Sequence, residues 1–359
     1  MTINITPSTP AEWIDLRGKA AHVTGAGNGI GAAIAQALAM AGARVMASDL
    51  NLESAEATAA EIVAAGGQAQ AMALDVSQRD QVDAAMAHSV STLGSLDILV
   101  NNAGLYNGFG GPVREITDEQ WRALWSVNVD GVFYCSRAAA GVMIDAGHGG
   151  RIINISSTQA VTPGVGVTYD GSKAAVLQIT KALALELAPH NINVNALAPG
   201  PTWVREGDPP PISGGLNGNG PPPTGEPLAD TVANRIQRLP SGHWGDPMEQ
   251  GKAAVFLASS MSSFVTGIYL PVDGGWLFCS ERRNGKTALS EIRAITRRSV
   301  GCYWSAPGGS RTATASHTVA ERGRRFTKRS AAPVERLGTK CARRSKRTLA
   351  GRLLSDYHH

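Results

Sequence analysis

From Ala20 onward, short apolar runs alternate with longer stretches whose apolar residues recur at helical spacing. Ala21, His22 and Val23 predict a first strand, a glycine-rich turn follows, and a helix runs through Ala41. Residues 43–48 predict a second strand ending at Asp49, then a helix over about 52–65 and a third strand over 68–74. Ser77-Gln78-Arg79-Asp80 reads as a capping box opening the next helix. Further strands are expected at 96–100, 151–155 and 192–196, with a seventh at 268–272, placed at an edge by Pro271. Strand–helix alternation at this spacing predicts right-handed βαβ units and an α/β fold built on a mostly parallel, doubly wound sheet.

Two segments break the pattern. Residues 203–240 carry Pro209-Pro210-Pro211, Gly214-Gly215 and Pro221-Pro222-Pro223, a composition that predicts a long mobile loop. Residues 277–359 have few apolar positions, no sustained period, and basic clusters such as Arg343-Arg344-Ser345-Lys346-Arg347; this tail is expected to be disordered. The overall charge of +4 conceals the division: the tail has 19 Lys+Arg against 5 Asp+Glu, whereas residues 1–276 have 14 against 24. The expected organisation is an N-terminal arm (1–15), one α/β domain (16–276) containing the 203–240 loop, and a basic tail (277–359). A frameshift or readthrough in a GC-rich gene would give a tail of this composition.

The four cysteines, Cys135, Cys279, Cys302 and Cys341, have neither metal-ligand nor disulfide spacing, and the five histidines of the body away from the tail form no metal pair. No metal is expected. Residues 1–10 lack a basic start and an apolar core, and no apolar run approaches the ~20 residues of a membrane span. A cytoplasmic protein with no membrane partner is the expectation.

The chemistry begins at the first turn. Gly25-Ala26-Gly27-Asn28-Gly29-Ile30-Gly31 joins strand to helix, where glycines let the backbone approach a pyrophosphate and the helix N-terminus supplies N–H donors. Asp49 ends the second strand, placed to accept from ribose hydroxyls and to repel a 2′-phosphate; a helix N-cap is its other reading. No Arg or Lys lies in the turn or at Leu50, so NAD is expected over NADP. Asp75-Val76 and Asn102-Ala103-Gly104 fall at carboxyl ends of strands, where Asp75 is placed to accept from the adenine amine and the latter three to line the ribose. Tyr169 and Lys173, four residues apart, share a helix face, where an ammonium would lower the phenol pKa and make it an acid or base near neutral pH.

Together these motifs resemble the short-chain dehydrogenases/reductases in their ~250-residue Rossmann form. The similarity covers about residues 16–276: the cofactor turn 24–31, Asn101-Asn102-Ala103-Gly104, Asn128, the Tyr169–Lys173 signature, Pro199-Gly200, and Val272-Asp273-Gly274-Gly275-Trp276. The resemblance implies a three-layer fold with a seven-stranded sheet and an NAD-dependent oxidoreductase interconverting a secondary alcohol and a ketone. Tyr169 would be the general acid/base. Lys173 would tune it and hold the nicotinamide ribose, Ser157 would hold the substrate oxygen, and Asn128 would link Lys173 to solvent through water. Pro199, Gly200 and Thr202 would face the nicotinamide. The family's usual spacing of thirteen from serine to tyrosine points to Ser156; Ser157, twelve before Tyr169, is favoured as the second of the pair after the strand. Tyr106, Tyr134 and Trp203 are expected to be core rather than substrate contacts. A homodimer or homotetramer is implied. The alternatives are an NADPH-dependent carbonyl or 3-oxoacyl-thioester reductase and, in another class, a nucleic-acid-binding protein acting through its tail; nucleic acid is not the expected partner, and the intact Ser157, Tyr169, Lys173 and Asn128 set argues against a purely structural role.

Overall fold

The computed structural model describes residues 9–106, 112–202 and 239–279. The loop expected over 203–240 to be mobile, Trp203 within it, and the tail expected to be disordered fall almost wholly outside the described residues.

Seven strands form one sheet: β1 (Ala20–Thr24), β2 (Arg44–Asp49), β3 (Gln68–Ala73), β4 (Ile98–Asn101), β5 (Gly150–Ile155), β6 (Ile192–Pro199) and β7 (Tyr269–Val272). Their order is β3-β2-β1-β4-β5-β6-β7 and every pairing is parallel. The helices are α1 (Pro10–Trp13), α2 (Gly29–Met40), α3 (Leu52–Ala64), α4 (Arg79–Leu93), α5 (Asp118–Trp125), α6 (Gly131–Ala146), α7 (Val167–Leu187), α8 (Pro247–Ala258) and α9 (Trp276–Cys279). No helix among the described residues is long and apolar enough to cross a membrane.

Alternation along each strand sends side chains to both faces and produces three layers. Val23, Val45, Val100 and Ile153 pack against Ile34 and Leu38 of α2, Ile62 of α3 and Leu257 of α8. Leu99, Ile152 and Val194 pack on the other face against Met86 of α4, Met143 of α6 and Leu187 of α7. Each such side chain stabilises the fold by roughly 1.5–3 kcal/mol. The winding reverses between β1 and β4, which opens a crevice at the carboxyl ends of those strands, where ligands bind in sheets of this kind.

The expected strands are present, with the edge placement of Pro271 as predicted from its missing N–H. β6 runs on to Pro199, past the expected end at residue 196, because β7 continues to pair with it there. The capping box at Ser77 does not form: Gln78 occupies the N-cap of α4 without a side-chain cap, while the Ser77 hydroxyl donates 2.7 Å to Asp75. Local competition for that carboxylate takes Ser77 out of the helix start.

His22, in the middle of β1, is fully buried. Its Nδ1 lies 2.7 Å from the Ser89 hydroxyl and its Nε2 2.8 Å from that of Ser48. Ser89 donates to the Ala85 carbonyl at 2.9 Å, a shorter bond than the 3.2 Å from Ser48 to the Val23 carbonyl, which favours the imidazole proton on Nδ1 with Nε2 accepting from Ser48. Burial pushes the imidazole pKa down to about 4.

Candidate active site

The nucleotide side is made mostly of backbone. Gly25 adopts φ +62°, a left-handed conformation that costs glycine little. A Cβ on Gly31 would run into the Gly25 carbonyl oxygen and the Asn102 amide, so the helix can start this close to the turn only as glycine. Asn102 Nδ2 donates to the carbonyls of Thr24 (3.1 Å) and Gly25 (2.8 Å), and the Thr24 hydroxyl accepts from the backbone of Asn102 and Ala103 at 3.1 Å. The turn is thereby stitched to the end of β4. The first α-helical bond of α2 runs from Ala32 N–H to the Asn28 carbonyl, and Asn28 provides no side-chain cap. The amides of Gly29, Ile30 and Gly31 are thus open to an anion, as a pyrophosphate requires. The donor set fits a dinucleotide.

Asp49 accepts from Gly27 N–H at 2.9 Å and from Asn51 N–H at 3.0 Å. It is not the N-cap of α3; Asn51 is, accepting from Ser54 N–H at 3.3 Å. Leu50 is 75% exposed. Asp75 accepts from the backbone and hydroxyl of Ser77 through one carboxylate oxygen. The Val76 side chain is buried, packed against Gly131 at the start of α6. Val76 and Ala103 line a small cleft with Thr24 and Asn101. Pro199 ends β6, Gly200 N–H donates 3.1 Å to the Val272 carbonyl, and the Thr202 hydroxyl turns inward to the Gly200 carbonyl at 3.0 Å.

The catalytic side is made of side chains. Tyr169 and Lys173 lie one turn apart on α7, as their spacing predicted. The Lys173 Nζ sits 5.7 Å from the Tyr169 ring centroid and donates 2.8 Å to the Ile155 carbonyl at the end of β5. Lys173 is 5% exposed, and burial pushes its pKa down to about 8. Ser156 is turned away, its hydroxyl donating 3.0 Å to the Lys173 carbonyl. Ser157 is the serine whose hydroxyl acts on the Tyr169 phenol, pulling its pKa down against the effect of burial. Its oxygen also accepts from Gln159 N–H at 3.2 Å, which leaves its own proton to donate toward the phenol side.

Asn128 lies in a five-residue π-helical turn, Ser126–Asp130, between α5 and α6. The widened turn aims its side chain inward. Oδ1 accepts from Leu105 N–H (2.7 Å), while Nδ2 donates to the Leu105 carbonyl (3.0 Å) and the Ser172 hydroxyl (3.2 Å). Asn128 thus locks the loop after β4 to α7. A Cβ at Gly104 would lie 3.4 Å from its Oδ1 and 3.5 Å from the Lys173 Nζ, so the loop and both polar groups converge.

One expectation is reversed. Burial pushes the Tyr169 phenol up, with Tyr106 and Asp170 adding to the rise and only the Ser157 hydroxyl opposing it. The lysine does not offset burial here because its ammonium is directed at the Ile155 carbonyl. The phenol is therefore held protonated at neutral pH. Tyr106 also departs from its expected core role: it is 42% exposed and its ring meets Tyr169 edge-on, with centroids 5.0 Å apart. Tyr134 is partly buried, beside the Arg137 guanidinium.

Sequence reading missed two further groups. The Asp170 carboxylate accepts from Gly164 N–H at 2.8 Å and from Val165 and Gly166 at 3.3 Å, holding the loop between Ser157 and Tyr169. Tyr269 of β7 donates 3.0 Å to the Ser157 carbonyl. The first is an acid in the opening turn of α7 that closes on amides four to six residues earlier, a local signal; the second has none, joining residues 112 apart.

A protonated phenol beside a hydroxyl donor suits an oxygen on which negative charge develops. A nicotinamide nucleotide held by the glycine turn would supply or take up the hydride. In such a reaction the chain's own contribution would be to orient the substrate oxygen with Ser157 and to move the proton at the Tyr169 oxygen.

A family model described as "Enoyl-(Acyl carrier protein) reductase" matches residues 25–277. The chain is 36% identical to the 2-dehydro-3-deoxy-D-gluconate 5-dehydrogenase of Dickeya dadantii, over 73% of this chain and 97% of that protein. It is 39% identical to the sorbitol dehydrogenase of Cereibacter sphaeroides, over 73% and 99%. Among solved structures, the gluconate 5-dehydrogenase of Burkholderia cenocepacia J2315, in complex with NADP and tartrate, superposes with a TM-score of 0.63 at 34% identity, covering 75% of this chain and 98% of that one. A structure from Agrobacterium tumefaciens, 32% identical over 74% and 98% with a TM-score of 0.63, also holds NADP. Bound NADP in relatives this similar overturns the expected preference for NAD. The physical reason lies in Asp49: its carboxylate is tied to Gly27 and Asn51, so its presence is accounted for by the turn and does not report the nucleotide.

Proposed function

The chain belongs to the short-chain dehydrogenase/reductase family of NAD(P)-dependent oxidoreductases acting on CH–OH and C=O groups, and from that premise we propose that it reduces the ketone of a small polyhydroxylated acid or polyol, reversibly, with NADP(H). Catalysis is placed in residues 16–276. Tyr169 gives its proton to the developing alkoxide, Ser157 holds that oxygen, and Lys173 and Asn128 keep the phenol and the loop after β4 in place.

The carrying observation is the convergence of Tyr169, Lys173, Ser157 and Asn128 beside the end of β5, with Lys173 Nζ 5.7 Å from the Tyr169 ring and tied to the Ile155 carbonyl; burial raises the phenol pKa, so it carries its proton at neutral pH. A phenol in that state carries the proton that ketone reduction consumes. The substrate class rests on the relatives, whose names describe action on gluconate derivatives and sorbitol. The same geometry makes oxidation pH-dependent: the phenol must lose its proton first, so oxidation rises with pH while reduction stays level through neutrality. We place the enzyme as a homo-oligomer, to be sized by light scattering with and without residues 277–359.

The test is a steady-state panel with NADPH and NADH: 5-keto-D-gluconate, fructose, cyclic ketones, steroid ketones and 3-oxo acids. Turnover of polyhydroxylated ketones, with NADPH serving at least as well as NADH, is expected. Activity confined to steroids or 3-oxo acids would reject the substrate class.

A further inference from the structure

We propose that Tyr269, at the first position of the edge strand β7, is a positioning residue for the reaction: its hydroxyl fixes the Ser157 peptide and so holds the serine hydroxyl against Tyr169. The proposal rests on the reading of Ser157 and Tyr169 given above.

The register explains the reach. Tyr269 pairs with Ala196 of β6, and Ala196 with Asn154 of β5. All three occupy one row across the sheet, and the middle position carries only a methyl group. Ser157 lies three residues beyond Asn154, at the carboxyl end of β5. A phenol is long enough to pass over the alanine, and its oxygen ends 3.0 Å from the Ser157 carbonyl.

That carbonyl accepts a second bond, from Ala160 N–H at 3.0 Å. Both of its acceptor directions are thus used, one by the short turn that follows and one by a strand from the far edge of the sheet. The serine hydroxyl, anchored by Gln159 N–H, rides on the same peptide. With Tyr269 removed, only the local 158–160 turn would orient it, and a short turn alone leaves the peptide free to tilt. Small displacements of an orienting group carry large rate effects, on the order of 10²-fold for ~1 Å. The Tyr269 phenol is itself held up to about 12, chiefly by burial and secondarily by Asp273, so it stays a donor through the working pH range. It is therefore a brace and not a second acid/base.

Tyr269→Phe removes one oxygen and keeps the ring, so the variant should fold, with a melting temperature close to the parent's. The experiment is a double-mutant cycle on Ser157→Ala and Tyr269→Phe, read in two ways. The first is turnover on the best ketone of the panel. Tyr269→Phe should lower kcat about 5–20-fold with the nucleotide KM unchanged, and should have almost no further effect in the Ser157→Ala background. The second needs no substrate: the ¹³Cζ resonance of Tyr169 with NADP bound, assigned by its loss in Tyr169→Phe. It should move in Tyr269→Phe in the same direction as in Ser157→Ala, because both change the hydroxyl that Ser157 presents to the phenol. A structural role alone would lower the melting temperature and leave this resonance in place. If no ketone is turned over by the parent, the functional reading fails and the resonance still decides the brace. An unmoved Tyr169 resonance, or additive effects of the two substitutions on kcat, overturns the proposal.

Discussion

The two halves of the sheet solve different problems with different materials. On the β1–β2–β3 side the nucleotide turn is shaped by what is missing: side chains at Gly25 and Gly31, and a cap on α2. On the β4–β7 side everything depends on what is present: Ser157, Lys173 and Asn128, each held by hydrogen bonds, and Tyr169, one turn from Lys173 with the Tyr106 ring edge-on against it. A backbone site tolerates many sequences around it and almost none at the glycines. A side-chain site tolerates a change only where the orienting contacts survive.

That contrast can be broken or sharpened, beginning with its largest consequence. Tyr169→Phe should lower kcat by about 10³-fold or more while the nucleotide dissociation constant changes by less than ~2-fold, because the proton carrier goes and the nucleotide turn is untouched. Fluorescence titration with NADPH beside steady-state rates would separate the two; equal losses in both would merge the halves.

The next effect lies under the nucleotide turn. The His22 pKa is lowered from 6.5 to about 4 by burial. A depressed folded-state value means that the unfolded chain binds the extra proton between those limits. Stability is therefore complete above pH 6.5 and lost as pH falls toward 4, by about 3 kcal/mol in all. Urea unfolding at pH 7 and at pH 4.5 should show this slope in the parent. His22→Leu should flatten it, since Ser89 keeps the Ala85 carbonyl as acceptor and Ser48, released from Nε2, has the Val23 carbonyl within reach.

Gly31→Ala comes third. The new methyl would meet the Gly25 carbonyl and Asn102, at a cost of roughly 1–3 kcal/mol. NADPH binding should weaken with it, while whatever nucleotide does bind should still support turnover at near-parent kcat. A large fall in kcat at saturating nucleotide would show that the two halves are not separable.

The smallest effect is expected at Asp170→Asn. Replacing the carboxylate weakens its bonds to the 164–166 backbone by about 1 kcal/mol. Ketone KM should rise a few-fold with nucleotide binding unchanged; unaltered KM would mean that this loop does not shape the substrate side.

The same contrast explains what was legible in the sequence. The glycine turn could be read because its residue types answer to local backbone geometry, and the Tyr169–Lys173 pair because four residues is one helical turn. The parallel, doubly wound sheet followed from alternation and connection rules. Asp49 was misread because its partners Gly27 and Asn51 become visible only once the turn is folded. The direction of the Tyr169 shift was misread because proximity along a helix does not say where an ammonium points, and here it points at Ile155. The serine spacing allowed either residue; a contact to the Lys173 carbonyl distinguishes Ser156. Tyr269 left no trace in the sequence, since its partner lies two strands away.

The central claim is that this crevice moves a hydride between a carbinol carbon and a nicotinamide while Tyr169 handles the proton. Incubating the enzyme with NADP and D-gluconate deuterated at its carbinol carbons, followed by mass spectrometry of the nucleotide, tests it most directly. Deuterium should appear on the reduced nicotinamide with the parent enzyme and not with Tyr169→Phe. Reduced nucleotide without deuterium, or equal labelling by the Tyr169→Phe variant, would contradict the account.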